Sequence, residues 1–122
     1  MVWTLVMIYA TLFVVVFVQQ MREHGSAQAA HRTRLLAQLK EAEGRHLVLV
    51  RYGPQYPRSP FIEWVYNDAD IDGAKVVWAR DMDSAHNHEL LEYFKDRHVW
   101  LVKLEKGYSS PKLVPYHLES SW

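Results

Sequence analysis

The first 21 residues carry no charged side chain, and this constrains the chain more than any other feature. From Val2 to Val18 the sequence reads VWTLVMIYATLFVVVFV, interrupted only by Thr4, Tyr9 and Thr11. As a helix this run covers roughly 26 Å, close to the ~30 Å hydrocarbon core of a bilayer. Gln19, Gln20 and Met21 extend it to the interface, and Trp3 suits the headgroup boundary at the other end. Thr4 and Thr11 bond to carbonyls one turn back, so they cost little in lipid. The run Val14–Val15–Val16 makes a poor helix in water, but in lipid an unbonded backbone has no cheaper conformation. A buried core helix is disfavoured, because the run has no polar face to show to water.

A cleaved leader is the other reading of such a segment. Ala27–Gln28–Ala29 has the small-x-small pattern of a cleavage site. However, no Lys or Arg precedes the apolar run, and the polar stretch Met21–Ser26 separates it from that site. The expectation is therefore a transmembrane helix over residues 1–21. Arg22, Arg32, Arg34 and Lys40 follow it, which by the positive-inside rule places the remainder in the cytoplasm.

All 28 Lys, Arg, Asp and Glu residues fall after residue 21 and balance to zero net charge. No basic field is present to attract nucleic acid. The chain has no cysteine, which removes disulfides, thiolate catalysis and cysteine zinc sites. The 101 residues after the apolar run suffice for one small domain, with a core built from a few short apolar runs.

Residues 22–44 read as a linker and an amphipathic helix. Gly25–Ser26 marks a break with Ser26 as N-cap, Leu35, Leu36, Leu39 and Ala42 form the apolar stripe, and Gly44 closes the end. The small domain spans 45–117, with a tail at 118–122. Leu47–Val50 reads as a strand buried on both faces. Pro54, Pro57 and Pro60 make the next segment irregular. Glu63–Asn67 is expected as a short edge strand, Lys75–Arg80 and His98–Leu104 as strands, and Lys112–Tyr116 as a further short one. Asn87 is the expected N-cap of a helix with Leu90, Leu91 and Phe94 inward and Lys95 and Arg97 at its end. Residues 75–104 then form a βαβ unit. The predicted fold is α/β: an N-terminal transmembrane helix followed by a small three-stranded, largely parallel sandwich.

Three patterns could carry chemistry. Asp68, Asp70, Asp72 and Gly73 match the opening of a calcium loop, but the twelfth position is Ala79 rather than a bidentate Glu, and a strand follows instead of a helix. An Asp-rich turn bonding its own backbone is the simpler reading. His88 and Glu89 resemble part of a zinc protease helix, yet Glu92 stands where the second His belongs, and His86 is two residues from His88. Arg51, Tyr52, Arg80, Asp81 and Asp83 end the first two strands, where parallel sheets bind ligands; an Arg–Asp pair packing the loops accounts for them equally well. No phosphate-binding glycine loop or nucleophile elbow is present, and no cofactor is implied. Trp64, Trp78 and Trp100 are expected in the core.

The runs RHLVLVRYGP, EWVYNDADIDGAKVVWARDM, NHELLEYFKDRHVWLVKLE and PKLVPY, taken together, resemble the C-terminal extramembrane domain of bacterial multi-pass glycosyltransferases of the protein mannosyltransferase and aminoarabinose transferase type. The resemblance spans residues 1 to about 116. It implies a bacterial inner-membrane protein with the domain on the periplasmic side, opposite to the charge rule. It also implies donors of the polyprenyl-phosphate-sugar class for those enzymes. Their catalytic carboxylate lies between early membrane helices that have no counterpart here, so no catalytic residue carries over. The expected function is a membrane-anchored, non-catalytic accessory module whose partners are the bilayer and another membrane protein. The alternative is one subunit of such a transferase, active only with a separate core.

Overall fold

The computed structural model describes residues 1–56, 63–105 and 110–116. Its first element is one continuous helix, α1, Val2–Glu41, 40 residues and about 60 Å long. The helix runs through Gly25–Ser26 without the expected break, so position 26 lies inside α1 rather than at the start of a second helix. A glycine inside a helix costs only about 1 kcal/mol relative to alanine, and the surrounding sequence supplies good helix formers such as Ala27, Gln28, Ala29 and Ala30. Within α1, Val2–Gln20 is long and apolar enough to cross a membrane, and none of it is buried. The Thr4 and Thr11 hydroxyls donate to the Met1 and Met7 carbonyls at 2.6 and 2.8 Å. The helix ends at Glu41, and Gly44, at φ +84°, turns the chain toward the sheet.

Four strands follow: β1 His46–Tyr52, β2 Val76–Arg80, β3 His98–Leu104 and β4 Val114–Pro115, in the order β2-β1-β3-β4. β1 lies at the centre, parallel to both neighbours, with Val48 opposite Trp78 on one side and Trp100 on the other. The two strands of the expected βαβ unit therefore run parallel but are not adjacent; β1 is inserted between them. The short fourth strand pairs antiparallel with β3. Leu47, Val48, Leu49 and Val50 are all fully buried, as a central strand covered on both faces requires. Burial of each such side chain contributes about 1.5–3 kcal/mol.

Residues alternate between two cores. Val48, Val50, Val76, Trp78, Val102 and Leu104 face α1, which lays Leu35 and Leu39 on them together with Trp64. Leu47, Leu49, Val77 and Leu101 face the second helix, α2, Ser84–Tyr93, with Phe94 beneath its end. The domain is thus a three-layer α/β/α sandwich. Residues 63–67 form no strand. Instead the Asn67 side chain accepts from the Trp78 amide at 2.7 Å and donates to its carbonyl at 2.8 Å, so one side-chain amide does at the β2 edge what a strand would.

The N-cap of α2 is Asp83, whose carboxylate accepts from the His86 amide at 2.9 Å. Asn87, expected there, lies inside the helix and is wholly buried. Lys95 and Arg97 fall beyond the helix end rather than in its last turn. Arg97 is buried instead, donating to the carbonyls of His46, Ala74, Lys75, Ile71 and Asp72. Residues 57–62, with Pro57 and Pro60 of the irregular loop, and the tail 118–122 lie outside the described residues.

The helix α1 and the three parallel strands run in opposite directions. Lys75, at the start of β2, donates to the Lys40 carbonyl near the end of α1 at 2.7 Å. Two residues into β2, the Trp78 ring lies 4.4 Å from the Arg32 guanidinium. Arg32, eight residues earlier in the helix, also stacks on Tyr66 at 3.6 Å and donates to the Trp64 and Tyr66 carbonyls at 2.9 and 2.8 Å. Burial lowers its pKa; Tyr66, then the Asp68 carboxylate and Tyr52, act in the opposite sense and are outweighed, while the rings and carbonyls give the buried guanidinium its partners. Gln28, one turn further back, accepts from the Trp64 indole at 3.3 Å.

Candidate functional site at the carboxyl edge of the sheet

The parallel strands end in residues of alternating direction, so their polar ends form two clusters, one on each face of the sheet. On the α2 face Arg51 and Asp81 meet. The Arg51 Nε donates to Asp81 Oδ2 at 2.5 Å, and the Asp81 side chain is 2% exposed against 26% for Arg51. Asn87 Nδ2 donates to Asp81 Oδ1 at 2.7 Å and to the Met82 carbonyl at 3.1 Å, and it lies 3.2 Å from the Tyr116 hydroxyl. Asn87 Oδ1 accepts from the Met82 amide at 2.9 Å. A buried asparagine thus ties the end of β2 to α2 and to the residue after β4.

On the α1 face Tyr52, Glu63 and Arg80 meet. The Tyr52 hydroxyl donates to Glu63, whose carboxylate also accepts from the Trp64 and Val65 amides at 3.1 and 3.0 Å. Burial, then the bond to Glu63, pushes the Tyr52 pKa up to about 12. Burial alone would raise the Glu63 carboxyl; its three donors and Arg80 outweigh burial and hold it below its ordinary value. Arg80 lies 3.8 Å from Glu63 and stacks over the Tyr52 ring at 4.9 Å, with its side chain 62% exposed.

All five rim residues predicted from sequence stand at this edge, but they do not converge. Arg51 and Asp81 form one cluster, Tyr52 and Arg80 the other. Asp83 is the helix cap, its carboxylate 2.6 Å from His86 Nδ1 and held below its usual range by the His86 amide and ring. Sequence reasoning missed Glu63 and Asn87. Glu63 precedes an apolar alternating stretch and reads as its solvent end; Asn87 mimics a cap at the wrong turn.

The Asp-rich turn sits at the opposite, amino edge. Asp70 accepts from the Gly73 amide at 3.0 Å, Asp72 accepts from the Tyr93 hydroxyl at 2.8 Å, and Arg45 and Arg97 hold the Asp72 carbonyl. A Cβ at Gly73 would clash with the Asp70 carboxylate. Among the described residues no three His, Asp or Glu side chains form a metal-binding group, so Asp68, Asp70 and Asp72 do not converge. Asp70 acts as a turn former bonding its own backbone, while Asp72 reaches across to the residue at the end of α2.

The amino edge also holds a buried histidine. His46 Nδ1 accepts from the Trp100 indole at 3.1 Å, which leaves the proton of the neutral ring on the buried Nε2. Its ring lies 5.5 Å from that of His98. Burial, followed by the nearby His98, Lys75 and Arg97, lowers the His46 pKa; the Ala42 carbonyl acts in the opposite sense and is outweighed. The folded state therefore prefers neutral His46, while the unfolded chain takes a proton near pH 6.5. Stability is full above that value and falls as pH drops from it toward the lower folded pKa. His86, raised by Asp83, acts with the opposite sign from the surface. We expect urea midpoints to decline from neutrality to about pH 5, and His46→Gln, which keeps an acceptor for Trp100, to flatten that decline. An unchanged slope in the variant would assign the decline elsewhere.

Comparison with known proteins found no matching family model, no matching curated protein and no matching solved structure.

Proposed function

We propose that this chain is a membrane-anchored, non-catalytic α/β module that steadies a partner membrane protein. The observation that carries the reading is the 19-residue apolar stretch Val2–Gln20, entirely exposed and continuous with the helix that packs on the sheet. Leaving that surface in water would cost far more than a folded domain of this size has to spare. Anchor and domain are closely joined along one helix: Gln28, eight residues beyond Gln20, and Arg32 already grip the domain. Such a joint transmits position from membrane to domain.

The sugar-transferase resemblance suggests the partner's class, a multi-pass protein of the bacterial inner membrane handling polyprenyl-phosphate-linked sugars. The mutual pairing of Arg51 with Asp81 and of Tyr52 with Glu63 supports a structural role for the sheet's carboxyl edge. The test is purification of the tagged full-length chain in mild detergent. The expected result is recovery with a multi-pass membrane protein, and no sugar transfer from a polyprenyl-phosphate donor by the chain alone. Transfer by the isolated chain would overturn the proposal.

A further inference from the structure

We infer that the carboxyl edge of the sheet faces the bilayer and rests at the level of the lipid headgroups, with Arg80 as a contact for lipid phosphate. The inference rests on the membrane reading of Val2–Gln20 and extends it to the orientation of the whole domain. It follows from the direction of the strands. β2 begins beside Lys40, reaches the level of Arg32 at Trp78, and ends at Arg80. Trp64 meets Gln28, and its neighbour Glu63 joins the last residue of β1, Tyr52. The strands therefore run back along α1 toward the apolar segment.

The helix rise converts this order into a height. Gln28 is eight residues beyond Gln20, a rise of about 12 Å. The headgroup region adds roughly 5–8 Å to each side of the hydrocarbon core. Trp78 lies at the level of Arg32, twelve residues beyond Gln20 and a rise of about 18 Å. Two residues of strand beyond Trp78 advance about 7 Å toward the membrane, which leaves the Arg80 backbone about 11 Å from the apolar end, near enough for a long arginine side chain to reach the headgroup layer. The amino edge, one strand length away, stands about 20 Å further out.

The chemistry of the edge fits that surface. The Arg80 guanidinium is largely exposed and only loosely paired with Glu63. Met82, next along the same edge, is a 41% exposed apolar side chain. Arg22 is exposed on α1 two residues beyond the apolar stretch. The Asp83 carboxylate beside them is engaged by His86. Tethering by α1 holds these groups at the surface continuously, so weak individual contacts suffice.

The chain has no native cysteine, so single labels can be placed without altering the background. Full-length Met82→Cys, Lys95→Cys and Leu12→Cys, each carrying a fluorophore, are reconstituted in vesicles of phosphatidylcholine and phosphatidylglycerol. Quenchers are placed on lipid headgroups or in acyl chains. The Leu12→Cys label should be quenched from the acyl chains. The Met82→Cys label should be quenched from the headgroups several-fold more than the Lys95→Cys label at the amino edge. Adding Arg80→Gln should reduce the extra quenching at Met82→Cys that phosphatidylglycerol brings. Acyl-chain quenching at Leu12→Cys with equal or inverted headgroup quenching at the two edges would overturn this orientation and leave the membrane reading intact. Loss of quenching at Leu12→Cys would remove both. Equal quenching with and without Arg80→Gln would overturn the phosphate contact.

Discussion

Full-length protein carrying Phe13→Arg and Val16→Arg together should leave the membrane fraction, while the unaltered chain stays in it through alkaline extraction. The two positions lie on one face near the middle of Val2–Gln20, and both side chains are about half or more exposed. An arginine at the centre of a membrane helix costs about 2.5–3.5 kcal/mol on insertion scales, so the pair shifts the insertion equilibrium by roughly ten-thousandfold. Neither residue touches the sheet, whose first partners on α1 are Gln28 and Arg32. The tryptophan fluorescence of the domain, dominated inside by Trp64 and Trp78, should therefore stay native. This separates loss of anchoring from loss of folding. Retention of the double variant in the membrane, or an unaltered chain that is soluble without detergent, would sink the membrane reading.

The N-terminal helix, long and apolar enough to cross a membrane, was legible because a long uncharged run needs no tertiary information to be recognised. The central strand was legible for a related reason. Leu47–Val50 is apolar on both faces, and only a strand covered by helices on both sides uses such a run. Its position between β2 and β3 was not legible, since periodicity reports which faces are buried and not which neighbour a strand takes.

The failures share a cause. Gly25–Ser26 looked like a helix boundary because local propensity marks it so, but propensity differences of about 1 kcal/mol yield to a helix committed on both sides. Asn67 looked like the end of an edge strand, and Asn87 like a cap. In both cases an amide side chain replaces backbone partners, Asn67 for a missing strand and Asn87 for the groups around Met82. Sequence marks such residues as polar and local; only the fold shows which backbone groups they satisfy. The rim residues were placed at the right edge because strand ends are readable. Their sorting into two faces follows from the two-residue period once the register is known.

Arg51→Met should be the most damaging single substitution at that edge. It leaves the Asp81 carboxylate, 2% exposed, without the Arg51 cation and with the Asn87 amide still donating to it. Removing one partner of a buried pair costs about 3–5 kcal/mol, because the other charge stays desolvated. For a domain of this size the unfolding midpoint should fall by roughly 15 °C or more. The double variant Arg51→Met, Asp81→Leu should recover most of the loss, since two apolar groups of similar size need no counter-charge. Thermal unfolding of the full-length chain in detergent, followed by tryptophan fluorescence, reads all three variants. A loss below about 1 kcal/mol in Arg51→Met would mean that the pair behaves as a surface pair, with both groups available to a ligand. Recovered stability together with unchanged capture of the proposed partner would make the pair a fold device. Recovered stability with lost capture would instead place Arg51 or Asp81 in the partner interface, because stability and binding would then have separated in one protein.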